Sequence, residues 1–238
     1  MAANRGAILK IVDDELLSPL QQASPDKPFV IAQLGQSLDG RIATVSGESR
    51  WINGPAALDH VHRLRANVDA VVVGVGTALA DDPLLTVRRV KGRDPARVVI
   101  DPRGRLGGAA RCFARDGTSC VLVHGDGAAV PTGVHSLMLP IDGRLMAPGD
   151  IVAALFNLGH KRILIEGGAK TVSNFVAAGV IDRLHVLVAP VILGSGIPGL
   201  SLPAIARLGD ARRPTTRIHV LDGGDVLFDC DLRQQTQG

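Results

Sequence analysis

The 238-residue chain has no tyrosine, one tryptophan and five phenylalanines, so aromatics make up only 3% of it. Its core must be aliphatic, built from Val, Leu, Ile and Ala, which suits a sheet packed between helices. Cysteine is also scarce. Cys112, Cys120 and Cys230 are odd in number, far apart and without a CxxC pair. That pattern excludes a disulfide framework and a zinc knuckle, and the reducing cytoplasm is the expected compartment. The opening MAANRGAILK offers no apolar core of signal-peptide length before Asp13 and Asp14. The formal charge is +3, with no lysine-rich tail and no basic face interleaved with aromatics. Small anions, not nucleic acid, are therefore the expected partners. The uncharged run 186–206 is long enough to span a bilayer, but Pro190, Pro198 and Pro203 interrupt it. It reads as a buried strand followed by a loop, and no membrane partner is expected.

What is present alternates apolar strands with helices. ILKIVDDELLSPLQQA, within 7–27, reads as a short amphipathic helix broken or kinked at Ser18-Pro19, then a polar linker. Residues 1–28 are thus expected to form a peripheral extension, suited to a lid or a dimer contact, and 29–238 a single domain. FVIAQL from Phe29 is a strand, 35–50 a loop or hairpin, and 55–65 a helix capped by Asn53 or Gly54 with proline in its first turn. Strands are predicted at 70–75, 97–100, 120–123, 134–139 and 184–188, with a helix over 151–158. The C-terminus reads as a hairpin, 217–221 with 226–232, turned at Asp222-Gly223-Gly224. Strands outnumber helices about two to one, which predicts a mixed sheet.

The chemistry-bearing segment is RILIEGGAKTVSNF, where a strand runs into Glu166, Gly167 and Gly168 and then a helix start. Paired glycines let backbone approach a bulky anion, and the helix offers unpaired N–H groups and its positive dipole end. The same string also fits an ordinary β-to-α turn needing a glycine. Gly74-Val75-Gly76 follows a strand, yet the third glycine of a dinucleotide fingerprint would fall at Leu79, so that motif fails. Thr77 and Asp81 after this strand can orient ribose or amide groups, and Arg88 can bind an anion bidentately. A plain Asx-Pro turn accounts for the segment equally. Arg63 and Arg65 end a helix, where dipole complementation is the ordinary role. His60 and His62 are two apart, face different sides and make a poor metal pair, so no metal site is expected. Trp51, at a loop-to-helix junction, suits either ring stacking or a hydrophobic plug.

Taken in order, GQSLDGRIA, SGESRWI, LRA, GVGTALADDPLLTVR, RVVID, LIEGGAKTVSNF and LVAPVILG closely resemble the pyrimidine reductase family of riboflavin biosynthesis, from about Phe29 to the C-terminus. The resemblance implies a three-layer α/β fold of dihydrofolate-reductase type, with a mixed, mostly parallel central sheet flanked by helices and a C-terminal hairpin. It implies NADPH as hydride donor, usually a homodimer, and the phosphorylated substrate 5-amino-6-(5-phosphoribosylamino)uracil. Carried over, the family's cofactor contacts fall on Gly35, Trp51, Thr77, Asp81 and the run Gly168, Ala169, Lys170, Thr171, Val172, Ser173 and Asn174. Its substrate contacts fall on Ser49, Arg65, Leu85, Arg88 and Glu166. Glu166 is the candidate catalytic residue, orienting substrate, while Ser49, Arg65 and Arg88 together suit a 5′-phosphate. Two departures stand out: Pro102, followed by Arg103 and Arg105, where a hydroxyl residue is frequent, and Asn53 where threonine is usual. No HxE with a later PCxxC is present, so a separate deaminase is expected to serve the pathway. Two other readings stay open. One is a reductase of the same fold acting on a pterin or another pyrimidine; the other is a non-catalytic module that binds NADPH or another ligand.

Overall fold

The structure, a computed structural model, describes residues 13–143 and 146–235. The part of the predicted first helix before Asp13 lies outside these. In chain order the strands are β1 (Phe29–Ser37), β2 (Arg41–Thr44), β3 (Ala70–Gly74), β4 (Ala96–Ile100), β5 (Cys120–His124), β6 (His135–Met138), β7 (Arg162–Ile165), β8 (Arg183–Ala189), β9 (Gly196–Pro198), β10 (Pro214–Val220) and β11 (Val226–Gln235). The α-helices are α1 (Asp13–Gln21), α2 (Pro55–Ala66), α3 (Val75–Asp81), α4 (Pro148–Asn157) and α5 (Ala169–Ala177).

Nine strands form one sheet in the order β10-β11-β8-β1-β7-β3-β4-β5-β6, while β2 and β9 pair apart from it. From β8 to β6 every pairing is parallel; β11 joins β8, and β10 joins β11, antiparallel. The mixed sheet and C-terminal hairpin match the expectation. The reason lies in strands such as AVVVG, whose Ala70 and Val72 enter one core while Val71 and Val73 enter the other. A strand buried on both faces needs helices on both sides. Helices α4 and α5 cover one face through Ile151, Leu155, Val172 and Phe175; α1, α2 and α3 cover the other through Leu20, Leu64 and Val75. Further out, Ile218 and Val220 of β10 stand 62% and 42% exposed, beside half-buried Phe228 and Val186.

Two local expectations need correction. Of the break or kink predicted at Ser18-Pro19, the break does not occur, since α1 continues through Pro19 and Gln22 N–H still bonds to the Ser18 carbonyl at 2.9 Å. Nor is the segment peripheral: Leu16, Leu17 and Leu20 are buried in two core clusters. That burial offsets the helix cost of a proline, about 3 kcal/mol. Helix α2 starts at Gly54 with proline in its first turn, but no side chain of its own caps it. The Asp225 carboxylate, in the β10–β11 turn, instead accepts the Gly54 N–H at 2.8 Å and an Asn53 side-chain N–H at 3.0 Å.

Between α2 and the hairpin lies a buried polar chain. Arg183 donates two bonds to Asp229, at 2.5 and 2.6 Å; His185 Nε2 lies 3.0 Å from Asp229, and His185 Nδ1 lies 2.9 Å from His60 Nε2. Burial, then the nearby His185, push the His60 pKa well below its ordinary 6.5. Its folded-state pKa is therefore lower than its unfolded one, so as pH falls below 6.5 the unfolded chain gains a proton that the folded chain refuses. Stability is expected to drop by about 1–2 kcal/mol between pH 7 and pH 5 from this residue. Urea unfolding of the wild type and of His60→Gln across that range checks it; equal slopes in both would sink the assignment.

Candidate active site

The parallel strands end along one edge, and there the chain's crossovers diverge. From β7 the chain passes through α5 to β8 on one side, while from neighbouring β3 it passes through α3 to β4 on the other. Because α3 and α5 lie on opposite faces, the β7/β3 boundary is a crevice facing two helix N-termini. The two starts are tied together, since Gly168 N–H donates to Thr77 Oγ1 at 2.7 Å. Gly167 has φ +109°, and a Cβ there would lie 2.9 Å from the Thr77 hydroxyl, so only glycine fits. Gly168 is the N-cap of α5 and, among the described residues, no side chain caps that helix. The Thr171 N–H is taken by the Gly168 carbonyl at 3.0 Å, which leaves the Ala169 and Lys170 N–H groups of the first turn for an anion.

Next to this turn lies a buried ion pair. Glu166 is held at the end of β7, where its N–H donates to the Val72 carbonyl at 2.9 Å. Arg65, on the last turn of α2, donates from Nε and Nη2 to its two carboxylate oxygens at 2.7 and 2.6 Å, and from Nη1 to the Thr86 carbonyl at 3.1 Å. Burial works against the Arg65 charge, but the Glu166 carboxylate outweighs it and raises the guanidinium's pKa. Three residues earlier on the same helix face, His62 Nδ1 accepts the Arg88 N–H at 3.0 Å. Burial, with Arg65 and Arg88 beside it, pushes His62 down to about 4, so it is neutral near pH 7. Arg88 is exposed and donates from Nη1 to Thr86 Oγ1 at 2.7 Å. Burial lowers its pKa first, then the neighbouring charges of Arg65 and Arg111. An incoming anion would relieve that repulsion.

The remaining candidates are spread around this crevice. Gly35 lies near the end of β1, where a side chain would collide with Asn53. Trp51 is 83% exposed with φ +72°, Asp81 ends α3 in an exposed position, and Ser49 is half-buried. None of these three makes a hydrogen bond or ion pair with the Arg65 or Thr77 groups among the described residues. Leu85 has φ +58°, and its side chain is buried in the core. Within 168–174 the side chains divide: Val172 belongs to the core and Ser173 Oγ accepts the Ser201 N–H at 2.9 Å, while Lys170 is exposed and Ala169, Thr171 and Asn174 are half-buried. His62 and Thr86 are site residues that sequence reasoning missed, although the His62/Arg65 spacing of three on a helix was available as a signal. No metal-binding group of three or more His, Cys, Asp or Glu occurs among the described residues. No helix there is long and apolar enough to cross a membrane.

Fold and crevice together define a three-layer α/β domain of the kind that takes ligands at the carboxyl ends of its strands. The chain belongs to the RibD C-terminal domain family, whose model matches residues 28–208. It is 36% identical over 203 residues to the riboflavin biosynthesis protein RibD of Escherichia coli K12, covering 77% of this chain and 54% of that protein. It is 34% identical over 176 residues to the 2,5-diamino-6-ribosylamino-4(3H)-pyrimidinone 5′-phosphate reductase of Methanothermobacter thermautotrophicus, covering 71% of this chain and 80% of that one. The crystal structure of a diaminohydroxyphosphoribosylaminopyrimidine deaminase/5-amino-6-(5-phosphoribosylamino)uracil reductase from Thermotoga maritima superposes with a TM-score of 0.76 at 26% identity, over 91% of this chain and 59% of that one. The chain thus spans about half the length of the RibD relatives it matches.

Proposed function

We propose that this domain reduces 5-amino-6-(5-phosphoribosylamino)uracil at its ribose, in riboflavin biosynthesis, with NADPH as cofactor. The observation that carries the reading is the crevice itself, where two helix starts joined at Thr77 and Gly168 flank the buried Arg65–Glu166 pair, in a chain of this family. The residues fit a dinucleotide's phosphates: Gly167 and Gly168 leave bare backbone, and the first turn of α5 lacks a side-chain cap. Bound there, NADPH supplies the hydride. Gly35, Trp51, Thr77, Asp81 and the run 168–174 flank its path, with Val172 and Ser173 supporting the helix from within. Glu166, fixed in place by Arg65, orients the substrate. Because Arg65 is neutralised by Glu166, Arg88 carries most of the charge that holds the substrate 5′-phosphate, with Ser49 as a hydroxyl donor. The Leu85 side chain is committed to the core, so that residue serves through its backbone.

The relative from Methanothermobacter favours a second reading, in which the undeaminated diaminopyrimidinone is the substrate, because this chain covers 80% of that protein. Purified protein, NADPH and, separately, the uracil compound, its undeaminated precursor and a dihydropterin distinguish these by loss of reduced-cofactor absorbance. Turnover of the uracil compound supports the first reading, and turnover only of the precursor the second. Turnover only of the pterin, or cofactor binding without turnover, would overturn both in favour of a pterin reductase or a non-catalytic ligand-binding module. Arg88→Ala is expected to raise KM at a loss of about 2–3 kcal/mol in substrate binding while NADPH affinity stays put. An unchanged KM would remove Arg88 from the phosphate site.

We also propose a cytoplasmic homodimer that pairs through the apolar strip of Ile218, Val220 and Phe228, with 29–238 as the reductase domain, 1–28 as its extension and a separate deaminase in the pathway. Light scattering on purified protein tests the dimer.

A further inference from the structure

The loop that carries Ser49 and Trp51 is fastened at both ends, and its second fastening comes from the far end of the sequence. At its start the turn after β2 closes on itself: the Glu48 N–H donates to Thr44 Oγ1 at 3.1 Å, and the Thr44 N–H donates to the Glu48 carbonyl at 2.9 Å. At its end stands Asp225, which is 1% exposed. Its Oδ1 accepts the Asn53 side-chain N–H at 3.0 Å, and its Oδ2 accepts the Gly54 N–H at 2.8 Å, so both carboxylate oxygens are engaged at the junction of loop and α2. Asp225 is itself fixed in the β10–β11 turn, where its carbonyl accepts the Leu221 N–H at 2.8 Å after two left-handed glycines, Gly223 and Gly224. A carboxylate only accepts, so it dictates which way the Asn53 amide faces. The nitrogen turns to Asp225, and the oxygen turns to β1, where a Cβ on Gly35 would lie 2.2 Å from it.

Resting on the reading proposed above, we infer that Asp225 is a positioning residue for the reduction, setting through Asn53 and Gly54 where the loop 49–53 and the start of α2 lie over the ends of β1 and β8. Three observations converge on it. The Asn53 amide is wedged, with Asp225 on one side, the Gly35 backbone on the other and the Leu187 carbonyl of β8 3.5 Å from its nitrogen. It cannot shift without losing a bond or meeting backbone. Gly54 is equally confined, since a Cβ there would lie 2.9 Å from Asp225 Oδ2, and its own carbonyl accepts the Leu58 N–H at 3.2 Å. The carboxylate thereby fixes the first turn of the helix whose last turn holds Arg65 against Glu166. Trp51, two residues before Asn53, has φ +72°, a left-handed conformation that a bulky residue keeps only where the surrounding chain holds it. Without Asp225 the stretch relaxes towards ordinary backbone angles, and Ser49 and Trp51 move with it. Asp225, almost without exposed surface, acts through the loop and not on a ligand.

The test is an exchange of the two side chains. Asn53→Asp sets a second carboxylate against Asp225, and Asp225→Asn can keep the contact only by turning the Asn53 amide over. The double variant restores one carboxylate, one amide and an acceptor for Gly54. Asn53→Ala, which removes the amide alone, is the milder probe if Asp225→Asn does not fold. Trp51 is the only tryptophan of the chain, so time-resolved fluorescence anisotropy of the protein alone reads the motion of this loop. Steady-state kinetics with NADPH and the uracil compound read the site, with every variant held well below its melting temperature. Each single variant is expected to enlarge the nanosecond depolarisation of Trp51 and to raise KM roughly 10-fold, with a smaller change in kcat. The exchange is expected to return both towards the wild type. Variants that melt earlier yet keep wild-type anisotropy and KM would show that Asp225 serves only the fold, and a mobile Trp51 with unchanged KM would equally overturn the inference. Absence of turnover by the wild type overturns the reductase reading and the claim on KM with it, while the anisotropy still decides whether Asp225 holds the loop.

Discussion

Replacing Glu166 with alanine is expected to lower folding stability by about 3–5 kcal/mol and to abolish turnover. The reason is the geometry of its partner. Arg65 is 8% exposed and directs three donors inward, two of them to Glu166, so the substitution strands a guanidinium in a site with little water to take it back. The Thr86 carbonyl, at 3.1 Å, accepts only one donor and leaves the charge uncompensated. A double variant separates folding from function. Arg65→Met with Glu166→Leu replaces the pair by apolar groups of similar volume, which often restores stability. It is expected to melt near the wild type yet remain inactive. Recovery of activity in the double variant would show that the pair serves only the fold.

Asp229→Ala is expected to cost a similar amount, about 3–5 kcal/mol, which for a domain of this size lowers Tm by roughly 10 °C. Asp229 is 1% exposed and accepts from Arg183 and His185, which hold its carboxyl well below the usual range despite burial. Without it, among the described residues, Arg183 retains Asp231 at 3.5 Å and His185 keeps His60. Asp59→Ala is the control: its ion pair with Arg89 lies at the surface, where such pairs contribute about 0–1 kcal/mol. Thermal unfolding followed by calorimetry reads both. Equal small losses would mean that the buried chain relaxes onto water.

Much of this domain was legible in one dimension because its strands are buried on both faces. Runs such as AVVVG and FVIAQL carry that burial in their composition, and the Glu-Gly-Gly string marks the one turn where backbone must lie bare. Helix α3 was harder: VGTALAD follows a strand, and the failed glycine fingerprint together with Pro83 drew attention away from it. It is a helix that stops one residue before that proline, at Asp82, in a left-handed conformation with φ +40°. Pairings were not legible at all. Arg65 and Glu166 are 101 residues apart, and each alone suited a separate duty, one on phosphate and one on the substrate ring. Their mutual neutralisation is visible only when α2 and β7 meet. The Asp225 cap on α2 and the antiparallel β2–β9 pair are of the same kind, since both depend on a partner more than a hundred residues away.

The central position of β1 has a consequence for how the chain is made. Its neighbours in the sheet are β7 and β8, and the Val30 N–H bonds to Asp182, 152 residues downstream. At typical synthesis rates of about 5–20 residues per second, β1 waits roughly 8–30 s after leaving the ribosome before its partners exist. Both of its edges stay open through that interval, in one of the most apolar segments of the chain. Ribosome-bound fragments ending before β8 should therefore stay protease-sensitive at Phe29–Leu34 and depend on holding factors, and release should be followed by slow, concentration-sensitive folding.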